Sequence, residues 1–185
     1  MLKHLFGSIL GVVLALFGTV ALGAYLSRSR AGHLGLVAMV ITVLGYALFL
    51  TIGGVSAFAS PGEGQAYLAG DEEFAEIAAS GFAVVAQTWT LLLAAMLLLV
   101  GNVLLGVAVW RSGTLPRWAG AIWAAAAVVT LLLGQVIAIA ITGSTPPTVL
   151  VGALLIVISG GWMAWSVLRK PSARAVGGQA QPRVR

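Results

Sequence analysis

Five long apolar runs, none with an ionisable residue well inside it, constrain this chain more than any other feature. They cover about Leu5–Leu26, Leu34–Ala59, Gly81–Trp110, Trp118–Thr142 and Val149–Leu168. A helix crosses the ~30 Å hydrocarbon core of a bilayer in about 20 residues, so each run is long enough for one crossing. The third is too short for two. Hydrophobic residues make up 60% of the 185 and charged residues only 8%, against about a quarter charged in soluble domains. A chain this apolar cannot cover itself with polar groups in water. The expected fold is all-α: one polytopic transmembrane bundle of about five spans over residues 1–168. The basic tail 169–185, with Pro, Gly, Gln and Arg and almost no apolar pattern, reads as disordered.

The basic residues orient the spans. With the N-terminus outside, Arg28, Arg30, Arg111, Arg117, Arg169, Lys170, Arg174, Arg183 and Arg185 fall in the cytoplasm and only Lys3 outside. The opposite orientation inverts this segregation, against the positive-inside rule. The same rule disfavours cleavage of the first run as a signal peptide after Ala21-Leu22-Gly23, since four spans would leave those basic residues external. All five acids (Glu63, Asp71, Glu72, Glu73, Glu76) lie in one segment, 60–80, which becomes an external acidic loop. Asp71 is placed to cap a short helix there. The net charge of +5 thus reflects topology, and no basic face suited to nucleic acid emerges. Tyr25, Trp110, Trp118 and Trp165 sit at the cytoplasmic ends of four spans, as an interfacial belt requires. Arg111, Arg117, Trp118, Trp165, Arg169 and Lys170 are the expected anchors at that interface, where cations also meet anionic headgroups.

Several chemistries find no residues. There is no cysteine, so disulfides, thiolate metal sites and cysteine nucleophiles are excluded. Proton relays rely on intramembrane ionisable groups, which the spans lack. His4 and His33 fall at opposite ends of the membrane and cannot share a metal, a haem or a catalytic step. Neither an enzyme nor a cofactor is expected.

Polar neutral residues remain. Gln87, Thr88 and Asn102 on the third run and Gln135 on the fourth are candidates for a polar bundle interior, because an amide in hydrocarbon must find a partner. Gln87 and Gln135 fall at similar depth and are expected to face each other, either as an interhelical hydrogen bond or as the lining of a small ligand pocket. Gly7 and Gly11, continued by Ala15 and Gly18, form a small-residue face suited to close helix packing. Gly53-Gly54 and Gly160-Gly161 are positions where a helix can bend.

The segment Leu105–Gly120, LGVAVWRSGTLPRWAG, resembles the LPRW junction between helices in small multi-pass membrane proteins of high-GC bacteria, of the domain-of-unknown-function type. That resemblance covers one helix hairpin. It implies a bacterial inner (plasma) membrane and a helical bundle, and it carries over no catalytic residue. Physically, Pro116 stops helix continuation while Arg111, Arg117 and Trp118 hold the turn at the surface.

Two function classes fit these residues. One is a structural or accessory protein that associates, through helix–helix contacts, with itself or another membrane protein. The other is a carrier or channel for a small neutral or lipophilic molecule. A continuous cavity reaching the polar residues favours the second; a solid bundle with an exposed small-residue stripe favours the first.

Overall fold

The computed structural model describes residues 9–70, 73, 82–134 and 147–169. Its elements are α1 (Gly11–Leu26), α2 (Gly32–Gly54), a π-helical turn (Val55–Ala59), α3 (Ser60–Leu68), α4 (Phe82–Ser112), α5 (Arg117–Ala127), a second π-helical turn (Val128–Leu133) and α6 (Pro147–Leu168). The chain is a multi-span helical membrane protein. Among the described residues three helices are long and apolar enough to cross a bilayer: Gly32–Leu68, Val84–Ser112 and Pro147–Leu168; Gly11–Leu26 and Arg117–Leu133 are apolar but shorter. Large apolar side chains such as Phe17, Leu44, Trp89, Met96, Leu150 and Val157 lie exposed on the outside, as expected where lipid is the solvent.

The helices run alternately up and down. Each neighbouring pair is antiparallel: residues late in one helix meet residues early in the next at Leu26 with Gly35, Gly106 with Gly120 and Thr130 with Gly152, and along α2 and α4 the paired positions run in opposite directions, Thr42 with Gly101 and Gly45 with Leu98. Packing follows the order α1, α2, α4, α5, α6, with α2 against α4 the most extensive contact. Among the described residues α1 and α6 form no comparable pair.

Small residues make these seams. On α2 the buried positions Gly35, Ala38, Thr42 and Gly45 recur at three- and four-residue spacing. On α4 the buried positions Ala94, Leu98, Gly101, Leu105, Ala108 and Ser112 do the same. Backbones then approach closely, and dispersion between them replaces the hydrophobic drive that lipid cannot supply. A methyl group added at Gly106 would lie 2.6 Å from the Gly120 carbonyl oxygen, and one at Gly101 would lie 2.8 Å from the Thr42 amide nitrogen.

The α4–α5 turn shows how sequence sets local structure. Ser112, almost fully buried, donates its hydroxyl to the Val109 carbonyl at 2.8 Å and accepts from the amides of Thr114 (3.2 Å) and Leu115 (3.3 Å). Gly113 ends the helix at φ +67°, a left-handed conformation that glycine adopts without a Cβ penalty. Pro116 is extended, at φ −62° and ψ 121°, and starts α5. The α1–α2 turn is held by Ser29, which donates to the Leu26 carbonyl at 2.7 Å.

The acidic segment differs from the expected loop. Residues 60–68 are helical and continue α2 through the π-helical turn. The wider turn admits Pro61, whose ring would otherwise meet the carbonyl of Ala57 and which offers no amide to it. The expected capping role of Asp71 and the basic tail beyond Arg169 lie outside the described residues.

Candidate functional site

Because α1 and α6 do not close on each other, a half-open groove of about 520 Å³ lies between them. Its α1 wall includes Ala15, Gly18, Leu22 and Tyr25; its α6 wall includes Ile156, Gly160, Met163 and Leu168; Tyr46, Trp123 and Leu115 form the floor. The wall is almost wholly apolar, with Tyr25, Tyr46 and Trp123 its only lining side chains that carry nitrogen or oxygen. The volume is that of a small-molecule pocket.

Sequence geometry explains the opening. Gly160 lets the Trp123 ring lie against α6, a Cβ there meeting the ring at 3.5 Å. Gly11 and Gly18 have no neighbouring atom within 4 Å of where a Cβ would stand. Among the described residues, Gly11 and Gly18 of the face expected to pack thus meet no other helix. Gly11 and Gly18 are exposed, and Ala15 is half-buried beside the groove. The packed face of α1 carries Thr19, Gly23 and Leu26 instead, with Gly23 set against Met39. Gly7 lies outside the described residues.

Beneath the groove is a polar cluster joining three helices. The Trp123 indole donates to Asn102 Oδ1 at 3.0 Å, and Asn102 Nδ2 donates to the Leu98 carbonyl at 2.8 Å. Tyr46, on α2, brings its hydroxyl beside the Asn102 side chain. Asn102 is buried, so both ends of its amide need these partners. Of the four expected interior residues, Asn102 alone is placed there. Gln87 and Thr88 are exposed on α4; Thr88 satisfies its hydroxyl on the Val84 carbonyl of its own helix at 2.9 Å. Gln135 lies outside the described residues, and with it the expected pairing to Gln87. Tyr46 and Trp123 were not singled out by sequence, although an indole within an apolar span always needs an acceptor.

The end of the bundle from which the groove opens is basic. Arg28 and Arg30 occupy the α1–α2 turn, Arg111 and Arg117 flank the α4–α5 turn, and Arg169 follows α6. All five are exposed. Trp110 and Trp118 meet edge to face at 5.5 Å, and the Arg169 guanidinium stacks 4.4 Å from the Trp165 ring centroid. The expected anchors Arg111, Arg117, Trp118, Trp165 and Arg169 thus share one end; Lys170 lies outside the described residues. Glu63, on α3, is exposed at the other end. Among the described residues no three potential metal ligands gather.

No protein-family model, curated protein or solved structure matches the chain.

Proposed function

We propose that this protein is a non-enzymatic membrane protein that holds a lipophilic molecule between its first and last helices. The observation that carries this reading is the half-open apolar groove of about 520 Å³ between α1 and α6, floored by the Tyr46–Asn102–Trp123 cluster. A groove at a helix seam, lined by aliphatic side chains with a few polar atoms at its base, has the form of a small-molecule site. The positive-inside rule supports a cytoplasmic basic end, and the resemblance of the LPRW junction supports a bacterial inner membrane.

Mass spectrometry of the full chain, extracted gently from its membrane, tests the reading. A reproducible lipophilic adduct is expected, and Gly18→Leu or Ala164→Phe, which fill the groove wall, should remove it. Chain that carries no adduct, or an equal load in the filled variants, would overturn the proposal. Single cysteines at Ala69 and Gly178 test the topology alongside, and labelling of both from one side would reject an odd number of crossings.

A second reading has its own observation. Gly11 and Gly18 leave one face of α1 with no atom near it, so association with another membrane helix through that face remains a function of this fold. A stoichiometric second protein in the same spectrum would favour it.

A further inference from the structure

The floor, length and rim of the groove together specify what fits it. On α6 the lining runs from Ile156 to Leu168 and on α1 from Ala15 to Tyr25. At 1.5 Å per residue these walls are roughly 18 Å and 15 Å long. One leaflet of the hydrocarbon core is about 15 Å, half of its ~30 Å thickness. The groove is therefore about as deep as one acyl chain of the adjacent leaflet, and its aliphatic walls match such a chain.

Its rim is cationic on both sides. On the two facing walls, Tyr25 and Leu168 are the lining residues nearest the basic end; Arg28 stands three residues beyond the first and Arg169 immediately follows the second. Both arginines are exposed, and among the described residues neither pairs with a carboxylate. The Arg169 guanidinium carbon lies 4.4 Å over the Trp165 ring centroid, which holds the cation at the rim, and a guanidinium offers phosphate a planar fork of N–H donors.

Resting on the groove reading above, we propose that the occupant is an anionic phospholipid of the basic-side leaflet. One acyl chain lies between α1 and α6, and the phosphate is held by Arg28 and Arg169. The arginines select the headgroup by charge; the groove retains the tail by burial. A zwitterionic lipid with the same chains fills the groove equally well but gains less at the rim, because its own ammonium group offsets the phosphate charge.

Purified full-length protein in a neutral detergent, titrated with palmitoyl-oleoyl phosphatidylglycerol or phosphatidylcholine and read by native mass spectrometry, tests this. Phosphatidylglycerol should bind more tightly, by roughly fivefold for each arginine. Arg28→Gln with Arg169→Gln should erase that preference, bringing phosphatidylglycerol binding to the level of phosphatidylcholine binding in the same variant. Gly18→Leu should weaken both lipids, and size-exclusion elution with thermal melting should show that each variant remains folded. Equal binding of the two lipids to the native chain would overturn the headgroup assignment; loss of both in Gly18→Leu would then still uphold the groove. Lipid binding unaffected by Gly18→Leu in a folded variant would overturn both. A homodimer that excludes lipid would replace the lipid with a second copy of the chain as the occupant.

Discussion

The α2–α4–α5 seams and the α1–α6 opening are built from the same kinds of residue and behave oppositely. In the seams, glycines face backbone: Gly45 against Leu98, Gly101 against Thr42, Gly106 against Gly120. At the opening, Gly18 faces nothing within 4 Å, and Gly160 meets only the edge of the Trp123 ring at 3.5 Å, an ordinary contact. A glycine in a lipid-exposed span thus has no fixed meaning. Where two helices present small residues in register, their backbones close together; where one helix presents them alone, a groove is left. The environment decides, because lipid gives apolar side chains no reason to leave it.

Substitutions at matched glycines should sharpen the contrast most. Gly106→Val sets its side chain against the Gly120 carbonyl, a backbone atom that cannot rotate away, and should destabilise the bundle by about 3 kcal/mol. Gly18→Val should change stability by less than about 0.5 kcal/mol. Reversible unfolding by steric trapping in bilayers measures both, and equal effects would break the comparison.

A smaller effect is expected at the polar cluster, which fastens the packed side where it meets the groove. Asn102→Ala leaves the Trp123 indole without its acceptor and should cost about 1–2 kcal/mol. A double-mutant cycle with Trp123→Phe should show coupling of about 0.6–1.7 kcal/mol, the range found for hydrogen bonds between membrane helices. Zero coupling would mean that the cluster holds nothing together.

The smallest of the three concerns the α4–α5 turn. Gly113→Ala meets no neighbouring atom but must hold φ near +67°, and should cost about 1 kcal/mol through backbone strain alone. Gly113→Asn should cost less, since asparagine tolerates that region. The same unfolding measurement checks the order; an asparagine variant weaker than the alanine one would contradict the strain argument.

The fold was legible where the physics is one-dimensional. Hydrophobic length wrote much of the helix pattern: α4 and α6 begin and end within two residues of the apolar runs, whereas the helix that begins at Gly32 continues to Leu68, past the end of its run at Ala59. Ser112-Gly113 followed by Pro116 wrote the turn in side-chain and backbone preferences. The faces were much less legible. In water a helix advertises its buried side by polarity, but here both sides are apolar, so Gln87 offered no sign of its exposure. The Gly11–Gly18 spacing named a face without naming a neighbour. A better signal lay in the three- and four-residue recurrence of small residues on both α2 and α4, from Gly35 to Gly45 and from Ala94 to Ser112, because packing needs two complementary stripes. Asn102 was readable as interior from cost alone, whereas Trp123 and Tyr46 became its partners only once three helices were brought together.

The continuous helix from Gly32 to Leu68 has a consequence for the face opposite the arginines. Its 37 residues extend roughly 55 Å at 1.5 Å per residue. Lying wholly within the hydrocarbon would demand a tilt of roughly 57°, outside the 0–40° range of membrane helices. The α3 portion, with Gly62, Glu63, Gly64 and Gln65, therefore reaches past the hydrocarbon on the side away from the arginines, where the exposed Glu63 carboxylate keeps its hydration.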